Sequence, residues 1–144
     1  MTFTAGIALA LATVLSGNAT PVVNAQTLAQ PMPQSQTVQQ YVTEYFADEP
    51  VMIAIAGCES HFRQYDKDGS VLKNPTTSAI GVMQIMSSVH NERAADLGID
   101  IYTTQGNLAF AKFLYDNNGT APWNASRGCW GKSQAAKTLA VAAN

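Results

Sequence analysis

The segment Pro50-Val51-Met52-Ile53-Ala54-Ile55-Ala56-Gly57-Cys58-Glu59-Ser60 constrains the fold most. Asp48, Glu49 and Pro50 suit a first helical turn, where acidic residues meet the positive end of the helix and proline loses no needed donor. Met52, Ile55, Ala56 and Glu59 then share one face. A helix that buries this stripe carries a carboxylate to the same side, close to its own C-terminal end. Desolvation penalises a charged carboxylate there unless it is paired, hydrogen-bonded or used. Burial and the negative end of the helix both push the Glu59 pKa up. From the residues alone, Glu59 is either a solvated helix-end carboxylate or a tuned titratable group.

The flanking segments also read as helices. Thr37-Val38-Gln39-Gln40 fits a capping box, in which Gln40 reaches back to the cap. Val38, Tyr41, Val42 and Tyr45 follow at helical spacing. Ser87 or Ser88 is expected to cap a helix that stops at Gly98. Asp100 to Thr103 is a connector. Thr104 is expected to cap a further helix that faces Leu108, Ala111, Leu114 and Tyr115 inward and closes at Asn118-Gly119. Tyr65 to Thr77 reads as loop, rich in Asp, Gly, Asn and Pro. Ala121 to Gly131 is irregular and anchored by Trp123, Cys129 and Trp130. Residues 132–144 form a short helix or a frayed tail. No two-residue alternation is sustained, so the fold class is mainly α. A chain of 144 residues has room for one domain and one core.

Ten acidic and eight basic residues make eighteen charges, and all of them fall at or after Glu44. The formal charge of −2 offers no concentrated basic patch for nucleic acid. Ala5 to Leu15 is an apolar run too short to span a bilayer, which takes roughly 20 residues. It matches the core of a secretory signal, with Val23-Asn24-Ala25 as the cleavage site, so residues 1–25 are expected to be a signal peptide. A buried core helix is the other reading of that run. Residues 26–36, polar with two prolines, read as a flexible lead-in. Export fits a disulfide between Cys58 and Cys129, the alternative being two buried thiols.

Three pieces in order then carry a resemblance. They are Cys58-Glu59-Ser60-His61-Phe62, Ser78-Ala79-Ile80-Gly81-Val82-Met83-Gln84-Ile85-Met86, and Gln105-Gly106-Asn107-Leu108-Ala109-Phe110-Ala111 with Leu114-Tyr115. Together, across about residues 37–130, this pattern resembles the lytic transglycosylase and goose-type lysozyme superfamily. The resemblance implies a single lysozyme-like helical domain over residues 37–131. With the expected signal peptide, it implies an exported monomeric enzyme, secreted or in the cell envelope, that acts on peptidoglycan without a cofactor. The family cleaves the β-1,4 bond between N-acetylmuramic acid and N-acetylglucosamine. Many members carry a late Ala-Tyr-Asn segment. This chain has Pro122-Trp123-Asn124-Ala125-Ser126-Arg127-Gly128-Cys129-Trp130 instead, and the tyrosine's role transfers to no residue.

By that resemblance Glu59 donates a proton to the leaving oxygen and then takes one from the sugar's own 6-hydroxyl. The product is a 1,6-anhydro sugar. A true muramidase would hydrolyse the same bond, and a binding module would hold the glycan without cutting it. Ser60, Gly81, Val82, Met83, Gln84 and Trp123 are the candidate substrate-binding residues. Each has a plainer reading: Ser60 as a helix end, Gly81 as a turn, Val82 and Met83 as core, and Trp123 as packing. Trp130, Tyr65 and Tyr102 are further candidates for sugar stacking. Asp66-Lys67-Asp68-Gly69-Ser70 is a surface turn, a second catalytic carboxylate or a calcium loop, though its glycine comes too early for an EF-hand. His61 and His90 lack a zinc-ligand spacing.

Overall fold

The computed structural model describes residues 36–142. The expected signal peptide, its cleavage site and residues 26–35 of the lead-in lie outside the described residues.

Helix α1 spans Val38–Tyr45. Its capping box forms as the sequence implies. The Gln40 N–H donates to Thr37 Oγ1 at 3.2 Å, and the Thr37 N–H donates to Gln40 Oε1 at 3.0 Å. Two of the four orphan donors at the helix start are thereby satisfied locally. Tyr41 and Val42 are buried, and so is Phe46, which follows the helix.

Helix α2 spans Pro50–Ser60, with proline in its first turn. Val51, Met52, Ile55 and Ala56 are buried in the core. The helix ends abruptly because His61 and Phe62 both take left-handed backbone conformations, with φ of 54° and 60°. The His61 N–H donates to the Gly57 carbonyl at 3.1 Å, closing the last turn. Gly57 has no side chain to obstruct the Phe62 ring. A Cβ there would lie 3.2 Å from Phe62 Cζ.

The expected loop after α2 is partly paired. Tyr65 bridges Val71 and Lys73 bridges Ile80, both antiparallel. Strands β1 (Ala79–Ile80) and β2 (Ile85–Met86) form an antiparallel hairpin in the register Ala79↔Met86 and Ile80↔Ile85. Two-residue strands leave no alternation to detect in sequence. Helices make up most of the described residues, a mainly α single small domain.

Helix α3 (Ser87–Asp96) departs from expectation at its start: Met86 is the N-cap residue, and no side chain caps the helix. The serines bond elsewhere. Ser87 Oγ donates to the Ser78 carbonyl at 2.8 Å, and the Ser88 and Ser78 hydroxyls lie 2.6 Å apart. A partner across the hairpin has taken the place of the helix's own N–H groups. Helix α4 (Thr104–Asn118) is capped one residue earlier than expected, by Thr103, whose Oγ1 accepts from the Gly106 N–H. Thr104 is instead a buried first-turn residue. The helix closes at Gly119.

The segment expected to be irregular is helical: a 3₁₀ helix over Ala121–Ser126, then α5 over Arg127–Trp130. The tail forms α6, Gln134–Ala142, with Ala135 and Ala136 packed against the core. The core centres on the buried stripe of α2 and on Leu108–Ala111 of α4, with Trp123 and Trp130 closing it. Among the described residues, no helix is long and apolar enough to cross a membrane.

Candidate active site

The hairpin turn Gly81-Val82-Met83-Gln84 is held by side chains from four other places in the chain. Ser60 Oγ, at the end of α2, donates to the Val82 carbonyl at 2.8 Å. Gln64 Oε1 accepts from the Val82 N–H at 2.9 Å. Asn107 Oδ1, on α4, accepts from the Met83 N–H at 2.8 Å. Trp123 Nε1, on the 3₁₀ helix, donates to the Met83 carbonyl at 2.9 Å. A buried turn cannot draw these partners from water, so each is supplied by the protein. Gln64 Nε2 goes on to the Tyr102 carbonyl, and Asn107 Nδ2 to the carbonyls of Ile80 and Ile101. Gln64 is 1 % exposed and Asn107 is fully buried.

Gly81 is required by this arrangement. Its φ is +70°, and a Cβ would lie 2.5 Å from Gln64 Oε1 and 2.6 Å from Asn107 Nδ2. Gln84 closes the turn, its Nε2 donating to the Gly81 carbonyl at 2.9 Å. It also has positive φ, at 50°.

The structure thus gives most of the candidate binding residues an internal partner. Ser60 is 1 % exposed and Trp123 3 %, while Val82 and Met83 are fully buried. The indole of Trp123 is committed to the turn and presents no face for sugar stacking. Trp130 is likewise buried, its Nε1 donating to the Trp123 carbonyl at 2.9 Å. The exposed aromatics of the original set are Tyr65 and Tyr102. Tyr102 rims a cleft of about 250 Å³ shared with Lys73, Asn74, Ser78, Ile80 and Ser87.

Glu59 lies in the last turn of α2, one residue before Ser60 plugs into the hairpin turn. It is half-buried. Burial raises its pKa above the ordinary 4.5, against an opposing hydrogen bond from Ser126. The Ser126 hydroxyl donates to Glu59 Oε1 at 2.6 Å. Ser126 is the last residue of the 3₁₀ helix, and a disulfide fastens the α5 turn that follows it to α2. Cys58 and Cys129 are bonded, with Cα atoms 6.0 Å apart.

Asp66 and Asp68 are occupied in their own exposed turn. Asp68 Oδ1 accepts from the Ser70 N–H at 2.9 Å and from its hydroxyl at 2.7 Å, and the hydroxyl bond leads in lowering the Asp68 pKa. Asp66 lies 3.9 Å from Arg63. His61 is exposed. His90 rests against Phe110 at 5.3 Å, and burial lowers its pKa. Among the described residues, no three His, Cys, Asp or Glu side chains group as a metal site.

Three residues of the site escaped the sequence reading. Asn107 lay in a segment marked by resemblance, but its role did not. Gln64 and Ser126 carried no signal, since they meet partners 18 and 67 positions away. No family model, curated protein or solved structure matches this chain.

Proposed function

We propose that this protein cleaves the glycan strands of peptidoglycan, with Glu59 as the acid and then the base of a lytic transglycosylase. The observation that carries the reading is the Glu59 carboxyl: half-buried, raised in pKa by desolvation, and hydrogen-bonded to Ser126. A general acid must hold its proton near the working pH, and burial is the commonest way to arrange that. The neighbouring Ser60 is tied to the Val82 carbonyl, which fixes the end of α2 that carries Glu59 and supports the same reading, because an acid acts only when it is held in position.

In the proposed reaction Glu59 protonates the oxygen leaving the N-acetylmuramic acid carbon, and the β-1,4 bond breaks. The resulting carboxylate then removes the proton of the sugar's 6-hydroxyl as that oxygen closes on the same carbon. Protons balance, no water is consumed, and the product ends in a 1,6-anhydro ring. Hydrolysis would commonly need a second carboxylate to activate water or act as nucleophile. Asp66 and Asp68 lie in an exposed surface turn, with Asp68 bonded to Ser70, and this favours the single-acid route over that one. The disulfide fits an exported protein, secreted or in the cell envelope.

Mass spectrometry of muropeptides after incubation with purified protein tests the reading. The expected products carry 1,6-anhydro ends. Asp66→Asn with Asp68→Asn should leave them unchanged, and Glu59→Gln should remove them, at a cost of about 10²-fold in rate or more. New reducing ends would move the assignment to a muramidase. Retained binding with no products from wild-type protein would make it a glycan-binding module.

A further inference from the structure

The hydroxyl of Ser126 stands between two acceptors. It lies 2.6 Å from Glu59 Oε1 and 3.1 Å from the carbonyl oxygen of Trp123. A hydroxyl has one proton to donate and can also accept. It therefore cannot make a strong, linear bond to both at once, and the shorter contact marks the acceptor it favours. With Glu59 ionised, the Ser126 O–H points to the carboxylate. With Glu59 protonated, the carboxylic O–H can donate to Ser126 Oγ, and the Ser126 proton turns to the Trp123 carbonyl.

The Trp123 carbonyl is built to allow this. It also accepts from Trp130 Nε1 at 2.9 Å. When Ser126 turns away, that carbonyl keeps a hydrogen bond and is not left bare in a buried place. Neither state of Glu59 thus strands a buried polar atom. We propose that Ser126 is a positioning residue for the Glu59 proton, a hydroxyl relay anchored on the Trp123 carbonyl that reverses direction as Glu59 passes between acid and carboxylate.

The proposal takes the assignment of Glu59 as acid and base as its starting point. It adds what that chemistry needs, since Glu59 must give up a proton and then regain one. In the acid state the relay fixes which carboxyl oxygen carries the proton. In the base state it stabilises the new carboxylate through a charge-assisted bond, stronger than the neutral one it replaces. No proton leaves Ser126 at either stage, because only the hydroxyl's direction changes.

Few other groups compete for control of Glu59. The elements packed on α2 bring Tyr41, Glu44 and Tyr45 from α1, Arg127 from α5 and Lys137 from α6, while the 3₁₀ helix brings no charge. His61 follows α2 directly. None of them adds a charge interaction to the Glu59 shift, which rests on burial and on Ser126. The disulfide at Cys129, three positions beyond Ser126, keeps the relay against the helix.

The test is an NMR titration of the Glu59 carboxyl carbon, identified by its loss in Glu59→Gln. It is run on wild type, Ser126→Ala and Ser126→Thr. The Ala variant should move the Glu59 midpoint upward, because the carboxylate loses its donor, and the Thr variant should return it. Cleavage by the Ala variant should fall about tenfold in kcat, the worth of one such bond, with the basic limb of its pH profile displaced upward. Ser126→Gly repeats the deletion with still less bulk, should alanine disturb the segment. A midpoint that is unmoved or lowered in a folded deletion variant, or a Thr variant that behaves like the deletion, would overturn the relay. The titration needs no substrate. If wild-type protein cuts no glycan, the functional reading fails while the relay is still decided.

Discussion

Replacing Asn107 by alanine tests whether the hairpin turn is held by hydrogen bonds or by shape. The Asn107 amide makes three buried contacts: one from the Met83 N–H at 2.8 Å, and one each to the carbonyls of Ile80 and Ile101 at 3.1 and 3.0 Å. Each buried group left without a partner costs about 1–3 kcal/mol. The deleted side chain also leaves a small polar void that water can partly fill. The sum is about 3–5 kcal/mol, a large share of the 5–15 kcal/mol that holds a typical domain together. With an m-value of about 1.5 kcal/mol/M, the urea midpoint should fall by about 2–3 M. Asn107→Asp is the decisive companion. It keeps the shape and the acceptor for Met83, but turns a second oxygen toward two carbonyls. Aspartate should therefore cost at least as much as alanine. A costly alanine beside an aspartate within about 1 kcal/mol of wild type would mean that Asn107 only fills space, and the hydrogen-bond argument would be refuted.

Three further outcomes follow from the same structure. Glu59→Gln should gain stability over wild type as pH rises. A carboxyl whose folded pKa is raised stabilises the fold below 4.5 and loses that contribution as pH climbs through the folded value, so thermal melts at acid and mildly alkaline pH should diverge; a pH-independent difference would argue against burial as the cause. Gly81→Ala should destabilise by about 3 kcal/mol or more, combining positive φ with the collision of a Cβ with Gln64 and Asn107, as a denaturation curve would report. Reducing the Cys58–Cys129 bond, which closes a loop of 71 positions, should cost about 4 kcal/mol by chain entropy and lower any cleavage activity as the Ser126 segment loosens. Full activity in reduced, folded protein would show that the relay needs no clamp.

What could be read from the sequence was whatever the chain decides over a few residues. The Thr37–Gln40 box, the proline start of α2, its buried stripe and the Asn118-Gly119 ending all depend on caps and periodicity within one or two turns. The pairing of two cysteines was legible by counting. The caps of α3 and α4 were less so, because Ser87 and Ser88 had a distant competitor in Ser78, and Thr103 and Thr104 differ only in where the turn begins. The site itself was decided by tertiary structure. Its turn is fixed by side chains 18 to 40 positions away, and Ser126 reaches Glu59 across 67. Such bonds join a side chain to a backbone group or a lone carboxyl, and they leave no periodicity in either partner. Trp123 shows the limit most clearly. An indole is equally suited to stacking on a sugar and to filling a core, and only the placement of the Met83 carbonyl 2.9 Å from its nitrogen decided for the core.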